Sequence, residues 1–316
     1  MNKIITNQYI ITNPSINSNK KIAYLSDVHS DITKLEETIK TIKELEIKIL
    51  LLGGDLVDST KDYKSKAKIK ELLQELSKTM KIYIGMGNHE FLHYIKDVEG
   101  VLSEVKSNDI KYWNELSSMH NIYVSELPVE GSTVTKWYYD KDLDITALNF
   151  PIDFYLKNEK RKDFLKQLKV MDDSIINKKK YNILLCHTPR NLVRNGLICE
   201  DIECLQGFNL ILSGHMHAGL VPKLLRSNNY GVGFVGPHAS VLPDYAYGLV
   251  VNKRIATLTS GGITKVTKSA SPNVSRVINK AFVKNKLNSI YSPEVEILNL
   301  TNGNRNTIKK LKKELE

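Results

Sequence analysis

Cysteine is scarce in this sequence: Cys186, Cys199 and Cys204 are the only three among 316 residues. An odd count without framework spacing excludes a disulfide scaffold and points to a reducing compartment. Cys199 and Cys204 stand too far apart for a CxxC pair, so a structural zinc site is not expected. Long apolar runs are missing as well. None approaches the roughly 20 residues that span a bilayer. The opening stretch MNKIITNQYIITNPS has no continuous apolar segment of the kind a secretory leader carries, and the expected location is the cytoplasm. No GxxxxGK[ST] occurs, and the GxGxxG string at Gly231 to Gly236 lies in a glycine-punctuated, strand-rich stretch and not between a strand and a helix, so the phosphate-cradling loops of nucleotide-binding α/β folds are not supported. Internal repeats and low-complexity linkers are also absent.

What the chain does have is 41% hydrophobic residues, enough for one large core, and an ordinary 25% of charged ones. Its formal charge is +10, from 45 basic and 35 acidic residues. The basic runs (Lys178 to Lys180, Lys309-Lys310, Lys312-Lys313) are short and lack the interleaved aromatics of a nucleic-acid track. The excess is read as lysines on solvated faces. It permits peripheral contact with anionic lipid without demanding it.

The first half of the chain alternates strands with helices. Ile22 to Ser26 is an apolar run ending at Asp27. Thr33 and Glu36 form a capping-box pattern, and Leu35, Ile39, Ile42 and Leu45 follow at helical spacing. Ile47 to Leu52 is apolar again and ends at Gly53-Gly54-Asp55, which completes a βαβ unit. A second helix is expected over 65–79 and a strand over 82–84. The middle, about 91–180, reads as an irregular insertion carrying substrate loops. It holds a helical stretch near 96–106, strand-like runs at 121–125 and 144–149, and a charged helix near 157–172. Two more apolar strands end at His187 and at Gly214-His215, and 230–260 is glycine-punctuated and strand-rich. The expected organisation is a single domain over 1–300, followed by a polar, basic tail over 301–316 that forms a short surface helix or frays.

Five apolar strands end in metal-competent side chains. The strand ends are Asp27-Val28-His29, Gly54-Asp55-Leu56-Val57-Asp58, Gly87-Asn88-His89-Glu90, Cys186-His187-Thr188-Pro189 and Gly214-His215-Met216-His217. Each motif is weak alone, because a lone DxH or HxH is more often a surface or core accident. The recurrence carries the signal, since ligand sites in α/β folds lie at the carboxyl ends of strands. Of eight histidines, five sit in these positions, and His93, His120 and His238 look like ordinary scatter. Carboxylate, amide oxygen and imidazole without thiolate suit Mn, Fe or Zn. Cys186 adjoins His187, but strand neighbours face opposite ways, so it should pack in the core. Trp113, Tyr138, Tyr139, Phe154 and Tyr155 could line a pocket, and packing is the better reading for each.

The motif order DxH, GDxxD, GNHD/E, lone His and GHxH resembles the calcineurin-like metallophosphoesterase superfamily, especially its small bacterial phosphodiesterase and phosphohydrolase branch. The likeness runs across 27–217 and continues into the final strand around Pro293-Glu294. It implies a four-layer α/β sandwich: two mixed β-sheets packed together, helices outside, and a dinuclear metal site at strand C-termini. It implies that Asp27, His29 and His217 bind one divalent ion, that Asn88, His187 and His215 bind the other, and that Asp55 bridges them. His89 would serve the leaving group, with Asp58 as its partner.

Two departures narrow the activity. Asp58 is followed by Ser59-Thr60 where protein phosphatases of this superfamily place an arginine, and Arg190 is the tentative substitute for phosphate binding. The GHTHGGQ of small bacterial members reads here Gly214-His215-Met216-His217-Ala218-Gly219-Leu220. The implied function is a two-metal phosphohydrolase, with diesters favoured over monoesters. Its substrate would be a small-molecule, lipid or cell-envelope phosphoester. A nuclease is the alternative, with nucleic acid possible but not favoured, and a non-catalytic scaffold is the remote one.

Overall fold

The computed structural model describes residues 4–58, 62–91, 101–128, 131–156, 176–189, 205–221, 226, 231–236, 240–252, 255–263 and 293–311. In chain order the elements are β1 (Ile5–Asn13), β2 (Lys20–Leu25), α1 (Ile32–Glu44), β3 (Ile49–Gly53), α2 (Tyr63–Ser77), β4 (Lys81–Gly85), α3 (Val101–Ser117) and β5 (Ile122–Val124). Next come β6 (Thr133–Tyr138), β7 (Leu143–Asn149), the short α4 (Asp153–Leu156), β8 (Tyr181–Leu185) and β9 (Leu210–Ser213), then a 3-10 turn at His217–Leu220. The chain ends with β10 (Val235–Gly236), β11 (Ser240–Val241), β12 (Gly248–Asn252), β13 (Ile255–Thr259), β14 (Glu294–Asn302) and β15 (Thr307–Lys310).

Two mixed sheets result. One has the order β15-β1-β14-β2-β3-β4-β5, the other β12-β13-β9-β8-β7-β6, and β10 pairs with β11 in a separate hairpin. Strand alternation explains how they stack. Ile49 and Leu51 of β3 point inward with Tyr24 and Tyr83, against Ile145, Ile183, Leu185 and Leu212 of the second sheet. Leu50 and Leu52 point the other way, into a layer with Leu35, Ile39 and Ile42 of α1 and Leu73 and Leu76 of α2. Because both faces of β3 are covered, all five of its residues are buried, which is why it reads as an unbroken apolar run.

The expected sandwich of two mixed sheets with helices is therefore present. The charged helix read near 157–172 lies outside the described residues. The stretch 91–180, read as an irregular insertion, contributes β5 to the first sheet and β6 and β7 to the second. The helix read near 96–106 runs over Val101–Ser117.

Two local expectations are corrected. The α1 cap is Asp31, whose side chain accepts from Lys34 N–H at 3.2 Å, and not Thr33. The tail forms no surface helix over its described part: Thr307–Lys310 is β15, antiparallel to β1, with Thr307 opposite Thr12 and Ile308 opposite Ile11. Alternation decides this, because Ile308 packs against the inter-sheet core while Lys309 and Lys310 stay in solvent. Lysines on an edge strand also discourage pairing with another chain.

Candidate metal centre

Parallel register brings the motifs together. Leu25 lies opposite Leu52 and Leu52 opposite Ile84, so β2, β3 and β4 stop at one level. β8 and β9 stop together likewise, with Leu185 opposite Leu212. The chain turns sharply after several of these strands. Asp27, His29, Asp55, His215 and His217 all have φ between 44° and 65°. Non-glycine residues rarely adopt this left-handed conformation, and it persists only where the surroundings enforce it. Two glycines make the close approach possible. A Cβ at Gly87 would overlap the Asp55 carboxylate, and one at Gly214 would overlap the Ser26 hydroxyl and the Asp27 carboxylate.

The donor atoms converge. His29 Nε2 lies 3.9 Å from Asp27 Oδ1, 3.6 Å from Asp55 Oδ2 and 3.3 Å from His217 Nε2. His217 Nε2 is 3.7 Å from Asp27 Oδ1, and His187 Nε2 is 3.1 Å from Asp55 Oδ2. Among the described residues, three groups could each hold an ion: Asp27, His29 and His217; Asp55, His187 and His215; and His29, Asp55 and His89. Asp55 belongs to two of them.

The polar partners set the imidazole tautomers. His187 Nδ1 lies 2.7 Å from the Gly53 carbonyl oxygen and donates to it, so Nε2 is the ring nitrogen that faces Asp55. His29 Nδ1 lies 3.3 Å from Asp58 Oδ1, which likewise turns its Nε2 inward. Asn88 supplies the sharpest test of fit. Its Oδ1 is buried and has no hydrogen-bond partner. Such an orphan acceptor costs about 1–3 kcal/mol unless something satisfies it, and a divalent ion at this position would do so. The donor set of imidazole nitrogen, carboxylate and amide oxygen, without thiolate, fits Mn, Fe or Zn.

Charge follows the same pattern. Burial opposes ionisation of Asp55, but the interactions with His187, His89 and His29 together outweigh it and hold the carboxyl well below the usual range. Burial likewise opposes protonation of His187, and Asp55 lifts its pKa to about 9. Burial dominates at His217, which is pushed down to about 4.

These findings agree with a family comparison. The profile of the calcineurin-like phosphoesterases matches residues 20–219, well over half of the chain. The chain belongs to the calcineurin-like phosphoesterase family. Caenorhabditis elegans protein F40B5.2, whose name assigns it provisionally to the metallophosphoesterases, is 28% identical over 214 residues. That match takes in 65% of this chain but 38% of the relative's length. Among solved structures, TT1561 of Thermus thermophilus aligns at TM-score 0.46 and 12% identity, over 78% of this chain and 91% of its own. Purple acid phosphatase PPD1 from yellow lupin (Lupinus luteus) seeds aligns at TM-score 0.40 and 15% identity, over 79% of this chain and 45% of its own.

In this member of the family, most of the described residues singled out by sequence meet at one place. Asp58 is closer to His29 than expected. Its carboxylate is 3.3 Å from His29 Nδ1 and 3.7 Å from His89 Nδ1, while His89 Nδ1 donates its hydrogen bond to the Asp58 carbonyl oxygen at 2.7 Å. Cys186 packs in the core as expected, and its thiol reaches the Thr188 carbonyl oxygen at 3.6 Å. Arg190, His93 and His238 lie outside the described residues. His120 is exposed just beyond α3, Trp113 is buried in the core, and Tyr138 is exposed on β6.

Two residues were not given a role by the sequence. Tyr155, read as packing, stands edge-on to the His215 ring at 5.2 Å between centroids, so it also walls the site. Glu90 is 1% exposed, and its carboxylate accepts N–H groups from Asp55, Leu56 and Gly87 at 2.9, 2.7 and 2.7 Å. Its position directly after Asn88-His89 was the available signal: a charge beside a buried strand end needs a partner.

Proposed function

We propose that this phosphoesterase is a metal-dependent phosphohydrolase acting on phosphodiesters in preference to monoesters. In this reading Asp27, His29 and His217 hold one divalent ion, Asn88, His187 and His215 hold a second, and Asp55 lies between them. The observation that carries it is the convergence of Asp27, His29, Asp55, His187, His215 and His217, together with the buried Asn88 Oδ1 that has no hydrogen-bond partner. When bound, a pair of divalent ions supplies Lewis acidity, lowering the pKa of water and offsetting charge on the phosphoryl group.

The chain's own residues do the rest. Asp55 offers Oδ2 toward His187 and His29, while its Oδ1 accepts the His89 N–H at 2.8 Å, so one carboxylate orients both halves of the site. His89 keeps its Nδ1 proton on the Asp58 carbonyl oxygen. Its Nε2, when protonated, is the donor available to a departing alkoxide. Asp58 fixes the His29 ring. Tyr155 and Phe91, edge to face at 6.3 Å, restrict water beside His215. The preference for diesters is supported by the resemblance of the motif order to small phosphodiesterases and by Ser59-Thr60 after Asp58, where a phosphate-gripping arginine would favour monoester dianions. Small-molecule, lipid or cell-envelope diesters are the substrate class.

The test is hydrolysis of bis-p-nitrophenyl phosphate beside p-nitrophenyl phosphate, with chelator-treated protein and Mn(II) added back. Metal-restored cleavage, faster on the diester, is the expected result. Monoester preference would overturn the diester assignment, and metal-independent cleavage would overturn the metal assignment.

A further inference from the structure

Arg226 touches none of the candidate ligands, yet it joins the two segments that press on Asp27 and His217. Its Nε donates to the Val221 carbonyl oxygen at 3.0 Å, and its Nη1 pairs with Glu294 Oε1. Both side chains are almost fully buried, at 11% and 7% exposure, and the guanidinium stacks 5.4 Å from the Tyr247 ring centroid. Each end of this link leads to the site. Val221 N–H bonds back to Ala218 at 3.1 Å and so closes the turn that carries His217. Glu294 N–H bonds to the Gly262 carbonyl oxygen at 3.1 Å, Gly262 packs against Asp27, and the next residue, Ile263, donates to the Ser26 carbonyl oxygen at 3.1 Å.

The turn needs such a restraint. His217, Ala218 and Leu220 have φ of 44°, 56° and 58°. Three non-glycine residues in the left-handed region over four positions cost of order 1–3 kcal/mol each and do not hold by themselves. A guanidinium suits the task because its rigid fork can serve two acceptors in fixed relative directions, whereas an ammonium is a single flexible point. Glu294 is in turn fixed by Asn7 Nδ2 at 3.2 Å. We propose that Arg226, clamped to Glu294, is a positioning residue that holds the His217 turn and Asp27 in register, and thereby tunes the Asp27–His29–His217 ion site selectively over the other. This rests on the two-ion reading above.

The test is Mn(II) binding to full-length, chelator-treated protein by calorimetry, with unfolding of the metal-free protein measured in parallel. Wild type should bind two equivalents. Arg226→Met should weaken one of them tenfold or more, the range for groups that support ligands from outside, and it should be the same equivalent that His217→Ala loses. Arg226→Met also leaves Glu294 buried and unpaired. The double variant Arg226→Met/Glu294→Gln removes that charge and should recover the metal-free unfolding midpoint without recovering the weakened site. Arg226→Lys should fall between. Wild-type affinity at both sites in the double variant would overturn the proposal, as would equal weakening of both. Fewer than two equivalents bound by wild type would instead overturn the two-ion reading itself.

Discussion

The Glu90 carboxylate accepts the main-chain N–H of Asp55 at 2.9 Å with one oxygen and that of Leu56 at 2.7 Å with the other. The first oxygen also takes the Gly87 N–H at 2.7 Å. One buried anion thus fastens the loop after β3 to the loop after β4, and both loops carry candidate ligands. Glu90→Ala strands these N–H donors and that of Val57, which reaches the carboxylate at 3.4 Å, and should cost roughly 3 kcal/mol or more of stability. Glu90→Gln should also destabilise, because its amide nitrogen would face N–H groups and not acceptors. Chemical denaturation of both variants checks this. A Gln variant as stable as wild type would show that shape, not acceptor count, is what the position requires.

His89 leads to a different prediction. Its Nδ1 is held by the Asp58 carbonyl oxygen, and its backbone N–H by Asp55. His89→Ala should therefore keep metal and fold while losing rate. The loss should be smallest for leaving groups that need no proton, such as p-nitrophenolate, and grow with leaving-group pKa. A series of aryl and alkyl diesters would show it as a steeper dependence of log kcat on pKa. An unchanged slope would remove the proton-donor role.

How far the site could be read from the sequence depended on what kind of constraint each residue answers to. Asp27, Asp55, His187 and His215 follow apolar strands whose burial on both faces makes them legible as runs. β1 and β15 were not legible. β1 neither alternates nor forms a long apolar run, with Thr6-Asn7-Gln8 followed by Tyr9-Ile10-Ile11, and it pairs in parallel with β14, nearly the whole chain away, with Ile5 opposite Glu294. Nothing within a short window reports so distant a partner. β6 was missed for a related reason: it is an edge strand with no fully buried residue, so its pattern carries little hydrophobic signal. Asp58 shows the same limit at atomic scale. The family resemblance put it beside His89, but only the folded loop decides that its carbonyl oxygen serves His89 while its carboxylate leans to His29.

That arrangement at Asp58 predicts an effect on metal binding in addition to catalysis. The His29 interaction, outweighing partial burial, holds the Asp58 carboxyl below its ordinary range. Asp58→Asn keeps the carbonyl oxygen for His89 but takes the negative charge from His29 Nδ1. Mn(II) affinity should fall by about 10–100-fold, while the leaving-group dependence of the rate stays as in wild type. Unaltered Mn(II) binding by calorimetry would mean that the carboxylate does not support His29.

Asp55 predicts the largest loss. It lies 3.1 Å from His187 and 3.6 Å from His29 and is shared between two candidate ligand groups. Asp55→Asn keeps the volume and one oxygen but removes the negative charge that the two candidate ligand groups share. Turnover should fall by three orders of magnitude or more, an expectation drawn from the weight of preorganised electrostatics, with circular dichroism unchanged. Wild-type-like rates in this variant would refute the two-ion assignment.

The last prediction concerns a charge remote from the chemistry. Glu296 is 1% exposed on β14, beside Glu294 and within reach of Asn7 Nδ2 at 3.2 Å. Burial first, and the Glu294 charge second, push its pKa up to about 7. The unfolded chain has an ordinary glutamate pKa near 4.3. Between those two values the folded state binds the extra proton, so rising pH withdraws stability across that window and the full deficit stands above pH 7. Glu296→Gln mimics the protonated form at every pH. Wild type and variant should therefore melt at similar temperatures at pH 4.5, and the variant should be the more stable at pH 8. Equal melting temperatures at both pH values would mean that Glu296 ionises in the folded protein as readily as in the unfolded chain.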